Sequence, residues 1–187
     1  MPSMAHGWEG EKVRLVPLDK EKHLQNALAW LNDPEVTRWL LMGDFPLAQL
    51  EEEQFFEKMT GKNREHAMFA IETLNAEHIG FTGIHAIDWR QGIAGTGTVI
   101  GRKDLWGKGY GTDAARIRTR YAFDVLGLRL LRSEAFAEND VSISMLKKAG
   151  YVEAGRIPKL YWKRGEYRDI LVFYCDRESW GAASAAT

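Results

Sequence analysis

Three alternating glycines lie in a short stretch of the chain, residues 105–114, which reads Leu-Trp-Gly-Lys-Gly-Tyr-Gly-Thr-Asp-Ala. These glycines are Gly107, Gly109 and Gly111, and a helical pattern begins at about Thr112. Glycine lets backbone N–H groups crowd around a ligand without side-chain clashes. A helix start adds unpaired N–H donors and a partial positive charge. The stretch therefore predicts an anion pocket, and we expect the anion to be a pyrophosphate.

Two nucleotide-binding motifs and one purely structural interpretation compete with this prediction. The stretch Gly109-x-Gly111-x-x-Ala114 matches a Rossmann fingerprint, with Glu134 about 20 residues on, where a ribose-binding acid is expected. Against it, residues 103–106 separate the glycines from the preceding strand, and little chain remains after Glu134 for further βα units. A Walker A loop does not occur. The structural interpretation is an ordinary helix start, although three glycines are entropically costly in a simple turn.

Length and composition restrict the class of protein. The chain has 187 residues, of which 45% are hydrophobic, and this suits one domain with a buried core. The net charge of -1 gives no strong nucleic-acid signal and no attraction to anionic membranes. No apolar run is long enough to span a bilayer, and residues 1–10 lack a signal-peptide pattern. We therefore expect a cytoplasmic protein with no membrane partner.

The single cysteine and the five histidines bear on thiol and metal chemistry. Cys175 ends an apolar run, residues 170–174, which predicts a buried strand residue rather than a nucleophile. One cysteine also fits a reducing compartment. The histidines show no metal-ligand spacing with each other or with the cysteine, so we expect no metal.

Periodicity, capping residues and glycines predict the elements that position the glycine stretch. In chain order they are a strand at 12–18, helices at 19–32, 33–41 and 47–59, strands at 66–72 and 77–88, a glycine-rich turn at 92–97, a strand at 98–102, a helix at 112–126, a strand at 130–137, a helix at 139–149, and strands at 151–156 and 167–175 joined by a polar loop. This order predicts a mixed α/β sheet in one domain, residues 8–178. We expect residues 179–187 to be a disordered tail.

Residues 98–151 resemble the acetyl-CoA-binding core of the GNAT superfamily of N-acyltransferases. That core reads Gln/Arg-x-x-Gly-x-Gly/Ala, and here the stretch is Trp106-x-x-Gly109-x-Gly111. Tryptophan in the first position is similar to the branch that contains the ribosomal-protein N-terminal (alanine/serine) acetyltransferases. Further matches to that branch are Trp30-Leu31-Asn32-Asp33-Pro34-Glu35-Val36, Asn139-x-x-Ser142, Lys148-Ala149-Gly150-Tyr151 and Tyr167-Arg168-Asp169.

The resemblance implies an α/β fold with a single mixed, mostly antiparallel sheet of about seven strands and helices on both faces. It also implies acetyl-CoA as the acyl donor. The strand before the glycines would splay from its neighbour, and the pantetheine arm would pair with the backbone of Val99, Ile100 and Gly101. The pyrophosphate would be held by backbone amides of Gly107, Lys108, Gly109, Tyr110, Gly111 and Thr112. The side-chain amide of Asn139 would contact the pantetheine arm, beside or instead of a helix N-cap role, and Lys108 and Arg116 would add charge or merely lie on a solvated face.

The reaction implied is attack of a neutral amine on the thioester, with a base for the amine proton and an acid for the leaving thiolate. The chain departs from the family's habits at both groups. The family's glutamate base is absent from residues 95–98, and Leu146 stands where many relatives carry a tyrosine acid. We expect Ser142 to hydrogen-bond the CoA sulfur, its alternative being packing at a helix start. Glu134, His85 and Asp88 are the candidate bases, and Tyr161 would line the acceptor site or serve as the acid.

We expect the acceptor cleft between the early helices, residues 19–59, and the polar loop at 156–167. The acceptor would be a protein N-terminus or a small-molecule amine. The basic and aromatic side chains of the loop at 156–167 would attract an acidic or nucleic-acid-linked acceptor. The same pattern is also typical of a solvated hairpin. A binding module that senses acyl-CoA without turnover is the main alternative function, because both usual catalytic residues are absent, and a NAD-dependent dehydrogenase is the second. Both a monomer and a homodimer remain open.

Overall fold

The structure is a computed structural model that describes residues 8–61 and 64–184. Seven strands form one sheet in the order β1-β2-β3-β4-β5-β7-β6. The strands are β1 (Val13–Pro17), β2 (Ala67–Thr73), β3 (His78–Asp88), β4 (Ile93–Ile100), β5 (Leu130–Phe136), β6 (Val152–Lys163) and β7 (Glu166–Asp176). The helices are α1 (Lys20–Leu31), α2 (Gln49–Thr60), α3 (Tyr110–Asp124), α4 (Asp140–Lys148) and α5 (Arg177–Ser184), with short 3-10 helices η1 (Val36–Trp39) and η2 (Lys103–Leu105).

The sheet is mixed and mostly antiparallel, as predicted. Among the described strands, β4 and β5 run parallel and every other neighbouring pair is antiparallel. The Rossmann alternative is therefore wrong, because that fold needs a doubly wound parallel sheet.

Helices cover both faces of the sheet. On one face α3 and α4 pack over a core that includes Leu131 and Phe173. On the other face α1 and α2 pack around Phe56 and Ala70. Asp19 caps α1 as predicted, since its side chain accepts hydrogen bonds from two first-turn amides. No described helix combines the length and the apolar character that crossing a bilayer requires.

The predicted glycine-rich turn at residues 92–97 is wrong except at Gly92, because residues 93–97 begin strand β4. Glycine is a poor strand former, but β4 pairs with β3 at Ile93 and again from Gly95 onward, on the two sides of a register irregularity. Pairing with a neighbouring strand outweighs the local preference. The predicted strand at 98–102 is the end of the same element.

The predicted helix at residues 33–41 is reduced to one 3-10 turn, η1. The carbonyl of Pro34 accepts a hydrogen bond from Arg164 Nη1 at 2.7 Å, and Thr37 Oγ1 accepts one from Arg164 Nη2 at 3.0 Å. These contacts come from a distant part of the chain, so a helical pattern could not anticipate them.

The C-terminal predictions also need correction. The polar loop at 156–167 is instead the extended tip of the β6–β7 hairpin. The predicted disorder at 179–187 is wrong up to Ser184, because residues 177–184 form α5. In this helix Trp180 packs edge-on against Phe123, with 5.8 Å between the ring centroids. Residues 185–187 lie outside the described part of the chain.

Candidate active site

Strands β4 and β5 separate partway along their length. They pair only from Ile93–Leu130 to Gly95–Arg132, although β4 continues to Ile100 and β5 to Phe136. The gap leaves unpaired strand edges and opens into a cleft of about 1630 Å³. One end of this cleft lies at the glycine stretch and the other lies beneath η1 and the β6–β7 hairpin.

The donor loop, residues 106–112, forms the first end of the cleft. Gly107 and Gly109 have φ angles of 72° and 88°, a left-handed conformation that favours glycine. Helix α3 starts directly after them, and in the described chain the amides of Tyr110, Gly111 and Thr112 donate to no protein acceptor. These free amides at a helix start fit an anionic group such as a pyrophosphate.

Two hydrogen-bonded contacts hold the donor loop in place. Trp106 Nε1 donates to the Ile100 carbonyl at 2.7 Å, which closes the loop onto β4. The Asp113 carboxylate accepts from the amides of Lys12 and Val13 at 2.8 and 3.0 Å, which ties α3 to β1. The loop is therefore fixed by the fold rather than by a ligand.

The charged residues proposed for the phosphates differ in their freedom. Lys108 is exposed on the loop. Arg116 donates to the Lys148 carbonyl from Nε and Nη2, at 3.2 and 2.9 Å, so its guanidinium is engaged with the end of α4.

The three strand residues expected to pair with the pantetheine arm are not equivalent. Val99 and Ile100 line the cleft. Gly101 lies outside it, because its amide donates to Ile79 at 2.9 Å and the indole of Trp30 covers its α-carbon. The pantetheine roles of the three residues stay predictions, and the structure supports those of Val99 and Ile100 better than that of Gly101.

The start of α4 brings Asn139 and Ser142 to the cleft beside the donor loop. Asn139 is the N-cap, since its Oδ1 accepts from the Ser142 amide at 3.2 Å. Within the described residues, Asn139 Nδ2 and Ser142 Oγ have no hydrogen-bond partner. Both groups are therefore available to a bound molecule.

A buried arginine beneath β4 was not predicted from the sequence. The side chain of Arg118 is 1% exposed, and Nη1 donates to Thr98 Oγ1 at 2.7 Å and to the Gly97 carbonyl at 2.9 Å. Nη2 donates to Tyr151 Oη at 3.1 Å, and Nε has no partner. No described carboxylate forms an ion pair with this guanidinium. Its position four residues after Ala114 and four before Ala122, on the same buried stripe of α3, is the signal that could have found it.

On the opposite face of β4, His85 and Glu134 approach the opening from the two neighbouring strands. His85 pairs with Gly95 across β3 and β4 and lines the cleft. Glu134 lies on β5 where that strand has left β4, and it is exposed to the cleft. Asp88, the third candidate base, lines the cleft near its end and accepts from the Gln91 amide at 3.0 Å.

An apolar surface, here called the acceptor wall, forms the far end of the cleft. Its members are Trp39, Leu41, Met42, Phe136, Tyr161 and Ile170. The rings of Trp39 and Phe136 lie 5.7 Å apart. The guanidinium groups of Arg38 and Arg168 stack on Trp39 at 4.9 and 5.2 Å.

A buried lysine at the tip of the β6–β7 hairpin holds the tip over this wall. The ammonium of Lys163, whose side chain is 1% exposed, donates to Asp44 Oδ1 at 2.7 Å and to the Met42 carbonyl at 3.2 Å. These contacts join parts of the chain that are more than 100 residues apart. A cleft between the early residues and the C-terminal segment is present, with a hairpin in place of a loop, and its role as the acceptor site stays a prediction.

The single cysteine is a packed residue, as expected. Cys175 is buried in β7, and burial raises the pKa of its thiol to about 12. Such a thiol is a poor nucleophile at neutral pH. Within residues 8–61 and 64–184, no cluster of His, Cys, Asp and Glu side chains could hold a metal ion.

Comparison with known proteins agrees with this geometry. The acetyltransferase (GNAT) domain family matches residues 12–152. The chain is 26% identical, over 144 residues, to the uncharacterized N-acetyltransferase p20 of Bacillus licheniformis, covering 76% of this chain and 80% of that protein.

Solved structures share the fold. A spermidine N-acetyltransferase from Vibrio cholerae, in complex with CoA and spermine, superposes with a TM-score of 0.83 at 19% identity, over 90% of this chain and 97% of that one. A GNAT-family acetyltransferase from Bacillus anthracis gives a TM-score of 0.77 at 16% identity, over 91% and 98%.

Proposed function

The chain belongs to the GNAT acetyltransferase family and is an acetyl-CoA-dependent acetyltransferase, and we propose that it acetylates a primary amine by direct attack within a ternary complex. The opening between β4 and β5 carries this proposal. The opening connects the donor loop to the acceptor wall through one continuous cleft. An amine at the acceptor wall could therefore reach a thioester that lies in the gap. Holding both reactants in this geometry supplies a large part of the rate enhancement.

In the donor half, acetyl-CoA would place its pyrophosphate on the amides of residues 107–112. Its pantetheine arm would run along Val99 and Ile100. Asn139 Nδ2 would donate a hydrogen bond to an amide carbonyl oxygen of that arm. Free amides and an unpartnered side-chain amide on the same side of the cleft support this assignment.

In the reaction, the amine nitrogen attacks the thioester carbon and the C–S bond breaks. The amine proton passes to a base on the cleft, and the thiolate receives a proton. Ser142 Oγ is the proposed donor to the sulfur, because it is free and lies beside the donor loop. Tyr161 would line the acceptor or act as an alternative acid. Glu134 and His85 are better placed to accept the amine proton than Asp88, which already caps a turn.

Direct transfer is favoured over a covalent acetyl-enzyme. The chain has one cysteine, Cys175, and its thiol is buried with a pKa raised to about 12. A thiol relay through this residue would need it both exposed and ionised.

We further propose that the acceptor amine carries an uncharged neighbouring group, as a protein N-terminus does. The acceptor wall is apolar and aromatic, and Arg38 and Arg168 flank Trp39. Arg168 is paired with Glu138 and Glu166, but Arg38 lines the cleft and forms no ion pair among the described residues, so a polyamine would bring additional positive charges toward its guanidinium, which is unfavourable. This preference agrees with the resemblance to the ribosomal-protein branch and differs from the spermidine enzymes that share the fold.

The test is release of CoA thiol from acetyl-CoA by the full chain with a panel of acceptors. The panel contains short peptides beginning with Ala or Ser, an arylalkylamine, and spermidine. We expect kcat/KM for the best peptide to exceed that for spermidine by about tenfold or more, and the same peptide with a blocked N-terminus to be inert. Spermidine as the best acceptor would contradict the acceptor assignment. No release with any amine would favour an acyl-CoA-sensing module.

A further inference from the structure

His85 occupies the space that a side chain at position 95 would otherwise fill. A β-carbon built on Gly95 would overlap Cε1 of the imidazole and would lie 2.7 Å from Nδ1 and 3.2 Å from Nε2. The imidazole therefore rests on the backbone of β4 rather than beside it. Only glycine at position 95 permits this placement.

This placement puts the imidazole beside the point where β4 and β5 separate. Paired residues of antiparallel strands point to the same face, so His85, Gly95 and Gly97 share the face of the acceptor wall. A β-carbon at Gly97 would meet nothing within 4 Å, so the floor next to the imidazole is open. Beyond Gly95 the strand loses its partner β5, which is where the thioester would enter.

We propose that His85 is the general base of this acetyltransferase, reaching the amine from β3 across Gly95. The inference rests on the proposed function and names the proton acceptor of that same site. The N–H proton of the attacking amine passes to the imidazole as the C–N bond forms, the C–S bond breaks, and the thiolate, hydrogen-bonded by Ser142, takes that proton back from the imidazolium. No further reactant is needed.

The charges around His85 suit this role. The walls of the cleft remove part of its hydration although the side chain is exposed along the cleft, and this desolvation, then the positive charges of Arg118 and His66, lower the pKa of the imidazole. A hydrogen bond with the backbone of Thr96, and then the charge of Glu134, act in the opposite direction and raise this pKa. The imidazole is therefore neutral at physiological pH and ready to accept a proton, and Glu134 on the facing strand would stabilise the imidazolium once it forms.

The first test replaces His85 and, separately, Gly95, the glycine on which the imidazole lies. His85→Gln should lower kcat by about 100-fold or more and remove the acid limb of the kcat–pH profile, with CoA affinity unchanged. Gly95→Ala should also lower kcat, because its β-carbon displaces the ring. The controls are His78→Gln, a histidine outside the cleft, and Gly155→Ala, a strand glycine whose β-carbon would meet nothing within 4 Å. Both should keep kcat within about threefold.

The second test separates catalysis from packing. In His85→Gly, added imidazole should restore turnover, and substituted imidazoles should restore it in the order of their basicity, which a structural gap-filler would not do. Activity of His85→Gln near that of the wild type, with the same pH profile, would overturn the inference while leaving the proposed function intact. Absence of CoA release by the wild type with every amine would instead overturn the proposed function. Thermal melts with CoA confirm that each variant is folded.

Discussion

The donor loop and the acceptor wall lie at opposite ends of one cleft and are built in different ways. The donor loop uses backbone amides of consecutive residues, with φ angles of 72° and 88° at two glycines. The acceptor wall uses side chains from η1, β5, β6 and β7, and contacts such as Lys163–Asp44 hold it together. A binding surface made of backbone is encoded within a few residues, whereas one made of side chains depends on the whole fold.

The largest expected effect concerns the ion pair that pins the hairpin. Asp44→Ala leaves the ammonium of Lys163 with only the Met42 carbonyl, and it should lower the unfolding free energy by about 2 kcal/mol. Lys163→Met removes the buried charge itself and should cost less, about 1 kcal/mol or below. Urea unfolding measures both. Both variants should raise the acceptor KM without changing CoA affinity, and a larger cost for Lys163→Met than for Asp44→Ala would show that this pair does not hold the wall.

Acid should destabilise the packing beneath α1, where the rings of His23 and His78 are in contact, before it affects the backbone of the donor loop. Burial, and then the charge of His23, lower the pKa of His78 to about 4, and burial also lowers the pKa of His23. The unfolded chain therefore binds protons more readily, so the unfolding free energy should fall as the pH drops from about 6.5 toward 4. His78→Gln should flatten this slope. A wild-type unfolding free energy that stays constant between pH 7 and 5 would contradict the prediction.

A single methyl group should damage the donor loop. Gly109→Ala puts an L side chain at a φ of 88°, which costs about 1–2 kcal/mol, and relief of that strain would turn the amides away. We expect CoA to bind about tenfold more weakly in calorimetry. Gly127→Ala, at a φ of 69° beyond the end of α3, is the matched control. It should lose similar stability but keep CoA affinity; equal CoA affinity in the two variants would argue against the loop as the pyrophosphate site.

The smallest effect is expected at Ser142, which lines the cleft beside the donor loop. Ser142→Ala should lower kcat by about fivefold because the thiolate loses one hydrogen-bond donor. Its CoA affinity should stay unchanged, since its amide still bonds to Asn139. Ser144→Ala on the same helix is the control and should behave like the wild type. Unchanged kcat for Ser142→Ala at every pH would remove this residue from the mechanism.

The contrast between loop and wall also explains which features could be predicted. The donor loop, the N-cap at Asn139 and the mixed seven-stranded sheet follow from local patterns and from the family resemblance. The strand at residues 93–97 could not be predicted, because its pairing with β3 overrides a glycine-rich composition. The short η1 and the long hairpin depend on contacts between Arg164 and Pro34, which are distant in sequence.

Some features of the candidate site were also beyond sequence reasoning. A buried arginine without a carboxylate partner runs against ordinary expectation, and only the packing of α3 on β4 shows that Arg118 is such a residue. The predicted helix at 112–126 includes Val125, but α3 ends at Asp124 and Val125 is 62% exposed. The place of His85 over Gly95 depends on strand register, which a single sequence leaves open.

Two-substrate kinetics test the central claim, that donor and acceptor meet in one cleft, most directly. Initial rates of CoA-thiol release are measured while acetyl-CoA and the best amine acceptor are both varied. Direct attack in a ternary complex predicts double-reciprocal lines that intersect, with no transfer of acetyl to the protein in the absence of amine. Parallel lines together with an acetylated enzyme would contradict the account, because the reaction would then proceed through a covalent intermediate.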